Sequence, residues 1–312
     1  MQLRIVHETR YDYSSPVVLS QHMAHLCPLH DPDGPNGQRL LDHTLRVTPL
    51  PTQTGDGVDS FGNRRAFFAL QEAHDQLDVV ADSLVDTQAP QPLPASPPWQ
   101  RVREHFVYRA GAAYEAASEF GFASPYVPVD DTLADYARDL FTDDAPLLEA
   151  CEALMARIHR DFTYRSGSTE VNTPVLEALE RREGVCQDFA HVMIGCLRSL
   201  GLPARYVSGY LLTVVPEGQQ RLVGADASHA WVSVYAPALD GVGPGSWCDF
   251  DPTNDRCGWG SPGEDYVTLA YGRDFGDVSP LRGVIQGGGS HNLHVGVTVA
   301  PPEEHEALNT AV

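Results

Sequence analysis

Apolar and polar residues partly alternate along Leu3-Arg-Ile-Val-His-Glu-Thr-Arg-Tyr11-Asp-Tyr13, the period of a strand with one buried face. Turn-forming clusters follow at Ser15-Pro16, Asp33-Gly34-Pro35 and Thr54-Gly-Asp-Gly57. Another, Asp59-Ser60-Phe61-Gly62-Asn63, leads into Arg65-Ala-Phe67-Phe68-Ala-Leu70. Residues 3–85 are therefore expected to form an antiparallel β-domain. The period then changes. Leu147, Leu148, Cys151, Leu154, Met155, Ile158 and Phe162 recur at helical spacing within a stretch, 130–163, that reads as helix. Thr173-Pro174 looks like a helix start ahead of Leu176 and Leu179. Phe189, Val192, Met193, Cys196, Leu197 and Leu200 make the apolar stripe of a further helix that begins at or near Cys186 and stops at Gly201-Leu202-Pro203. Strands are expected over 206–215, from His229 through Tyr235, over 247–250, and at 293–299. Helices followed by antiparallel strands predict an α+β fold.

The Pro-rich run over residues 88–98 is a semi-rigid spacer and the clearest boundary. The expected division is 1–88 for the β-domain, 89–130 for a linker and connecting segment, 131–300 for a helix-then-strand core, and 301–312 for a mobile tail. Gly287-Gly-Gly-Ser290-His291 precedes a terminal strand and reads as a hairpin turn rather than a phosphate cradle.

Composition narrows the functions. Acids outnumber bases 42 to 21, and a net charge of −21 repels phosphate backbones and anionic bilayers, so neither nucleic acid nor membrane is an expected partner. All the bases are arginine, which excludes Schiff-base and lysine-base chemistry. The start of the chain carries an acid and a histidine where a signal peptide needs an unbroken apolar run, and the expected compartment is cytoplasmic. The six cysteines form no small-domain disulfide framework.

Candidate chemistry centres on three separated contexts. Cys186 stands at the junction of a loop and an apolar helix, in Gly184-Val-Cys-Gln-Asp188. A helix N-terminus favours a thiolate and offers free N–H groups to an oxyanion, so Cys186 is both candidate nucleophile and candidate oxyanion donor. His229 opens a strand after a small polar run, and Asp251 stands before Pro252-Thr253. Each has a plain structural alternative: a small buried cysteine, a surface histidine, a turn-forming aspartate. Together they supply a nucleophile, a base and an orienting acid. Metal binding fits less well. Cys186 and His191 point apart on a helix, and His22, His25, Cys27 and His30 have neither finger nor metalloprotease spacing. No Gly-x-Ser-x-Gly elbow and no Walker loop is present. No metal and no cofactor are expected.

Gly184-Val-Cys186-Gln-Asp-Phe-Ala, Gly201-Leu-Pro-Ala-Arg205-Tyr-Val-Ser-Gly-Tyr210, His229-Ala-Trp-Val and Asp251-Pro-Thr-Asn resemble the core of the bacterial transglutaminase-like superfamily. His7-Glu-Thr-Arg-Tyr11, Asp59-Ser-Phe-Gly-Asn63 and Leu77-Asp-Val-Val-Ala-Asp-Ser83 are similar to the β-domain that precedes that core, and residues 271–283 to its closing stretch. The resemblance implies a papain-like core with a helix-borne nucleophile packed on an antiparallel sheet. It also implies a Cys186–His229–Asp251 triad and a peptide or protein substrate presenting an amide carbonyl. Ser233 departs from the family pattern, where many relatives carry Glu. Tyr164 is a candidate second oxyanion donor. The expected reaction is cysteine-peptidase or amidase hydrolysis through a Cys186 thioester. Protein-glutamine transamidation and a non-catalytic binding role are the alternatives.

Overall fold

The computed structural model describes residues 1–111, 113–166, 172–213 and 228–305. The first five strands are β1 (Gln2–Ala24), β2 (Arg39–Thr48), β3 (Gln53–Val58), β4 (Arg64–Leu70) and β5 (His74–Asp86). Next come α1 (Trp99–Phe106), α2 (Asp131–Ala137), α3 (Leu147–Asp161), the short β6 (Thr163–Tyr164), α4 (Val175–Arg181), β7 (Glu183–Gly184) and α5 (Cys186–Ser199). The chain continues with β8 (Ala204–Leu211), β9 (Ser228–Ala236), β10 (Ser246–Asp251), β11 (Arg256–Trp259), β12 (Tyr266–Gly272), α6 (Phe275–Val278), β13 (Leu281–Gly287) and β14 (His291–Ala300). The fold is α+β, with an antiparallel front sheet and a core in which α5 packs on a second antiparallel sheet.

The front sheet is organised by β1, a 23-residue strand. Its first half pairs with β5 on one side and β14 on the other; its second half pairs with β4 and β13. Thus β13 and β14, which the sequence reading groups with the core as part of 131–300, pair with β1 of the front sheet. Gly287–Gly289 is correspondingly not a hairpin turn, because the strands on either side of it run on in the same direction along β1. All three glycines have positive φ, which lets the backbone step across the irregularity at Ser14–Val17 opposite.

The segment 89–130, expected to be a connection, carries α1 and a 3₁₀ turn, Ala116–Gly121. Trp99, Val102, Phe120 and Val127 from it are buried in one cluster with the apolar faces of α3 and α5. Residues 302–305 make a helical turn with His305 buried; the rest of the expected tail, like residues 214 and 215 of the strand expected over 206–215, lies outside the described residues.

In the second sheet the strand order is β11-β10-β9-β8-β12. β12 is therefore an edge strand, and its outer backbone is closed by side chains of the front domain. Thr268 receives Nε2 of Gln38 on its carbonyl at 2.9 Å and donates its N–H to Oε1 at 2.8 Å. Asn63 does the same for Tyr271, with Nδ2 to the carbonyl at 2.7 Å and Oδ1 from the N–H at 2.8 Å. Two side-chain amides thus stand in for a neighbouring strand and blunt an edge that would otherwise invite pairing. Between the two sheets lies an apolar seam of Leu3, Ile5, Val85, Tyr210, Val267, Leu269, Val297 and Val299.

Candidate functional site

The local sequence around Cys186 dictates the start of α5. Val185 is extended, and its N–H donates to Oδ2 of Asp188 at 2.8 Å. That carboxylate satisfies a donor outside the helix and complements the helix dipole from the first turn. Gly184 makes this possible: a Cβ there would stand 2.6 Å from Oδ2 of Asp188. Gly184 also belongs to β7, which pairs with β6, so Tyr164 lies beside it. Cys186 is the first residue of α5 and is partly exposed, while α5 from Asp188 to Arg198 is buried. Its N–H has no partner within the helix by construction of a helix end.

His229 follows the first residue of β9, directly opposite Gly209 of β8. Asp251 ends β10. Nε2 of His229 donates to Oδ2 of Asp251 at 2.7 Å, and the imidazole also shares a hydrogen bond with the Cys186 thiol. With Nε2 taken, Nδ1 is the nitrogen left for sulfur. Burial opposes a charge on the ring. The hydrogen bond and the charge of Asp251, followed by those of Cys186, outweigh it and push the His229 pKa up to about 10. Burial likewise opposes ionisation of Asp251, but the His229, Asn254 and Tyr266 contacts prevail and hold it below the usual carboxylate value. A positive imidazole between a sulfur and a carboxylate is the arrangement that stabilises a thiolate.

Cys186, His229 and Asp251 are thus brought together from α5, β9 and β10. Tyr164 also stands close. Its ring is edge-on to Phe189 at 6.3 Å, and burial, then the nearby charge of Cys186, raise its hydroxyl pKa. His191 is not part of the site. It is buried, accepts from the N–H of Phe275 at 3.2 Å, and burial lowers its pKa to about 4. Nor do His22, His25, Cys27 and His30 converge. His22 stacks on Phe68, His25 faces the carbonyl of Ser279, Cys27 points to that of Pro28, and His30 accepts from the N–H of Leu40. Among the described residues no group of three or more such side chains could hold a metal ion.

Three contributors went unseen in the sequence. Tyr266 donates to Oδ2 of Asp251 at 2.7 Å. Asn254 donates to the same oxygen at 2.7 Å, and its Nδ2 lies 3.3 Å from Nε2 of His229. Because that nitrogen already carries the proton given to Asp251, Asn254 acts on the carboxylate and not on the ring. Trp231 lies against His229 and donates from Nε1 to Asp249 at 3.0 Å. Asn254, in Asp251-Pro-Thr-Asn, was within reach of a local reading, since an asparagine three residues after an acid can fold back on it. Tyr266 had no such signal.

Comparison with known proteins agrees along the chain. A profile of the bacterial transglutaminase-like N-terminal region matches residues 3–86, and one of the transglutaminase-like superfamily matches residues 134–252. An uncharacterized protein of Mycobacterium tuberculosis is 39% identical over 306 residues, spanning 96% of this chain and 93% of the relative. One of Mycobacterium leprae is 30% identical over 301 residues, spanning 96% and 98%. Among solved structures, that of "a putative cysteine protease" from Cytophaga hutchinsonii superposes with a TM-score of 0.69 at 24% identity, over 96% of this chain and 90% of that one. It shows the same fold.

Proposed function

The chain belongs to the transglutaminase-like superfamily, and from that premise we propose that it is a cysteine-dependent acyl-transfer enzyme that hydrolyses amide bonds in peptide or protein substrates. The observation that carries this reading is the contact of one imidazole with both a helix-terminal thiol and a buried carboxylate. In the first step the Cys186 sulfur attacks the amide carbonyl carbon. The Cys186 N–H, with the Tyr164 hydroxyl as second donor, donates to the oxygen on which negative charge develops. His229 gives its proton to the leaving amine as the C–N bond breaks, and a thioester remains. Asp251 keeps the ring oriented and its charged form stable. Water then adds to the thioester with His229 as base, restoring the thiol and releasing the acid.

Water is favoured over an amine as acceptor because Cys186 is partly exposed. An amine at millimolar concentration competes with solvent water only where the site excludes it. The free state of all six cysteines suits a reducing compartment such as the cytoplasm.

The test uses casein and synthetic glutamine peptides with the whole chain. Mass spectrometry is expected to find a thioester on Cys186 and, in ¹⁸O-water, label in the product acid. Cys186→Ala is expected to fold normally and lose turnover by at least ~10⁴-fold. Full activity in that variant would end the assignment. Accumulation of lysine–glutamine cross-links without ¹⁸O uptake would replace hydrolysis by transamidation.

A further inference from the structure

Oδ2 of Asp251 accepts from three side chains at once: Nε2 of His229, Nδ2 of Asn254 and the hydroxyl of Tyr266, each at 2.7 Å. Its other oxygen accepts from the N–H of Thr253 at 2.9 Å. Tyr266 arrives from an unexpected direction. It begins β12, and two strands, β8 and β9, separate β12 from the β10 that carries Asp251. The crossing depends on Gly209. A Cβ at that residue would stand 2.5 Å from the Trp231 ring, so its absence lets the indole lie across β8. Tyr266 then packs edge-on to Trp231, with ring centroids 5.4 Å apart, and its hydroxyl reaches Asp251. The phenol is 2% exposed and lies under the Arg256 guanidinium at 4.8 Å, which is itself paired with Asp265. Nothing in this packing needs a hydroxyl. A phenylalanine would fill the same space.

We infer that Tyr266 is a positioning residue of the site, whose hydroxyl fixes the Asp251 carboxylate and limits how tightly that carboxylate binds the proton on His229. The inference rests on the reading of Cys186 and His229 as an acyl-transfer pair. Its physical content is competition. Each donor on Oδ2 draws on the same negative charge, so every one added weakens the others. Among the described residues, the ionisable groups facing His229 are Cys186 from α5, Asp251 from β10 and Tyr266 from β12, with Arg256 of β11 next beyond. Of these, Tyr266 alone donates a hydrogen bond to Oδ2 without being the proposed nucleophile or the charged ring, so its removal frees that oxygen for His229.

The test reads that bond directly and needs no substrate. In ¹⁵N-histidine-labelled whole protein at neutral pH, the Nε2–H resonance of His229 is identified by its loss in His229→Gln. In Tyr266→Phe it is expected to move downfield, and the alkaline step of Cys186 alkylation by iodoacetamide to rise by about one pH unit. Asn254→Ala, an exposed change that removes another donor from the same oxygen, is expected to move both in the same direction and serves if Tyr266→Phe does not fold. Resonances that stay put or move upfield in these variants overturn the inference, because general loosening would weaken the bond instead. That failure is separable from failure of the acyl-transfer reading. A Cys186→Ala protein with full turnover sinks the reading while leaving the Tyr266 result standing.

Discussion

At the scale of single residues, the proposed chemistry turns on where one proton resides. An unperturbed imidazole loses its proton near pH 6.5, whereas His229 holds it to about 10. The positive His229 ring therefore persists beside Asp251 across neutral and mildly alkaline pH. The expected profile of kcat/KM, or of Cys186 alkylation, has no falling or breaking limb between pH 7 and 9 and a step near 10. Asp251→Asn removes the carboxylate that sustains the charge. It is expected to bring that step down toward 6.5 and to lower kcat by roughly 10³–10⁴-fold, because the ring loses both its orientation and its stabilising charge. A step that stays at 10 in Asp251→Asn would assign it to another group. The raised proton affinity has a stability consequence of fixed sign: it contributes fully below pH 6.5 and is lost as pH rises through 10. The residues proposed to carry this chemistry stand in readable contexts, a cysteine two residues after a glycine at a helix start and a histidine at a strand start. What tunes them does not. Tyr266 meets Asp251 only because the sheet brings β12 round Trp231, and no spacing along the chain encodes that approach.

At the scale of elements, α5 holds the proposed nucleophile through its two ends. The first end was legible: a glycine, an acid three residues into the turn, then an apolar stripe. The structure adds the reason the glycine is required, which is room for Asp188. Gly184→Ala is expected to displace Asp188, loosen the first turn and cut turnover by about tenfold or more, although no proposed catalytic residue is itself substituted. Thermal melting with alkylation kinetics separates the two effects. The stop of the far end at Gly201-Leu202-Pro203 was legible too, but the role of Arg198 was not: it stands in the last turn of the helix with its guanidinium buried. It donates to the carbonyls of Phe120, Ala204 and Arg273 and to the Ser124 hydroxyl at 2.6–3.1 Å. These bonds tie together the connecting segment, β8 and the loop before α6. Burial lowers its pKa to about 10, so it stays charged at neutral pH. Arg198→Met keeps the bulk and strands those carbonyls, and is expected to cost ~3–5 kcal/mol in urea unfolding. A loss under ~1 kcal/mol would mean that water replaces the guanidinium at little cost.

At the scale of the molecule, β13 and β14 return to pair with β1, and an apolar cluster joins the two sheets. Half-buried alternation was visible in β1 and a strand was expected at 293–299, but a strand pattern carries no address, and the pairing of β14 with β1 joins residues nearly three hundred positions apart. The seam contains a titratable marker. His7 is buried between Tyr210 and Thr9, with ring contacts of 2.9 and 3.2 Å, and burial lowers its pKa to about 4, as it does for His191 in the core. Both are neutral in the folded protein, whereas the unfolded chain takes up their protons below about 6.5. Their contribution to stability is therefore complete above 6.5 and falls as pH drops toward 4, by about 1.4 kcal/mol per pH unit for each histidine. His7→Gln should flatten that slope if the seam opens with the fold. Truncation tests the closure itself. A fragment of residues 1–88 lacks the partner strands on one whole side of β1 and leaves Leu3, Ile5 and Val85 without Val297 and Val299. It is expected to aggregate or remain unfolded, since a long unpaired edge above an uncovered apolar face is an association site. Joining residues 281–300 to that fragment through a flexible linker is expected to restore a cooperative melt. A fragment of 1–88 that melts cooperatively as a monomer would show that the front domain folds without the closing strands, and that β13 and β14 only dock on a finished sheet.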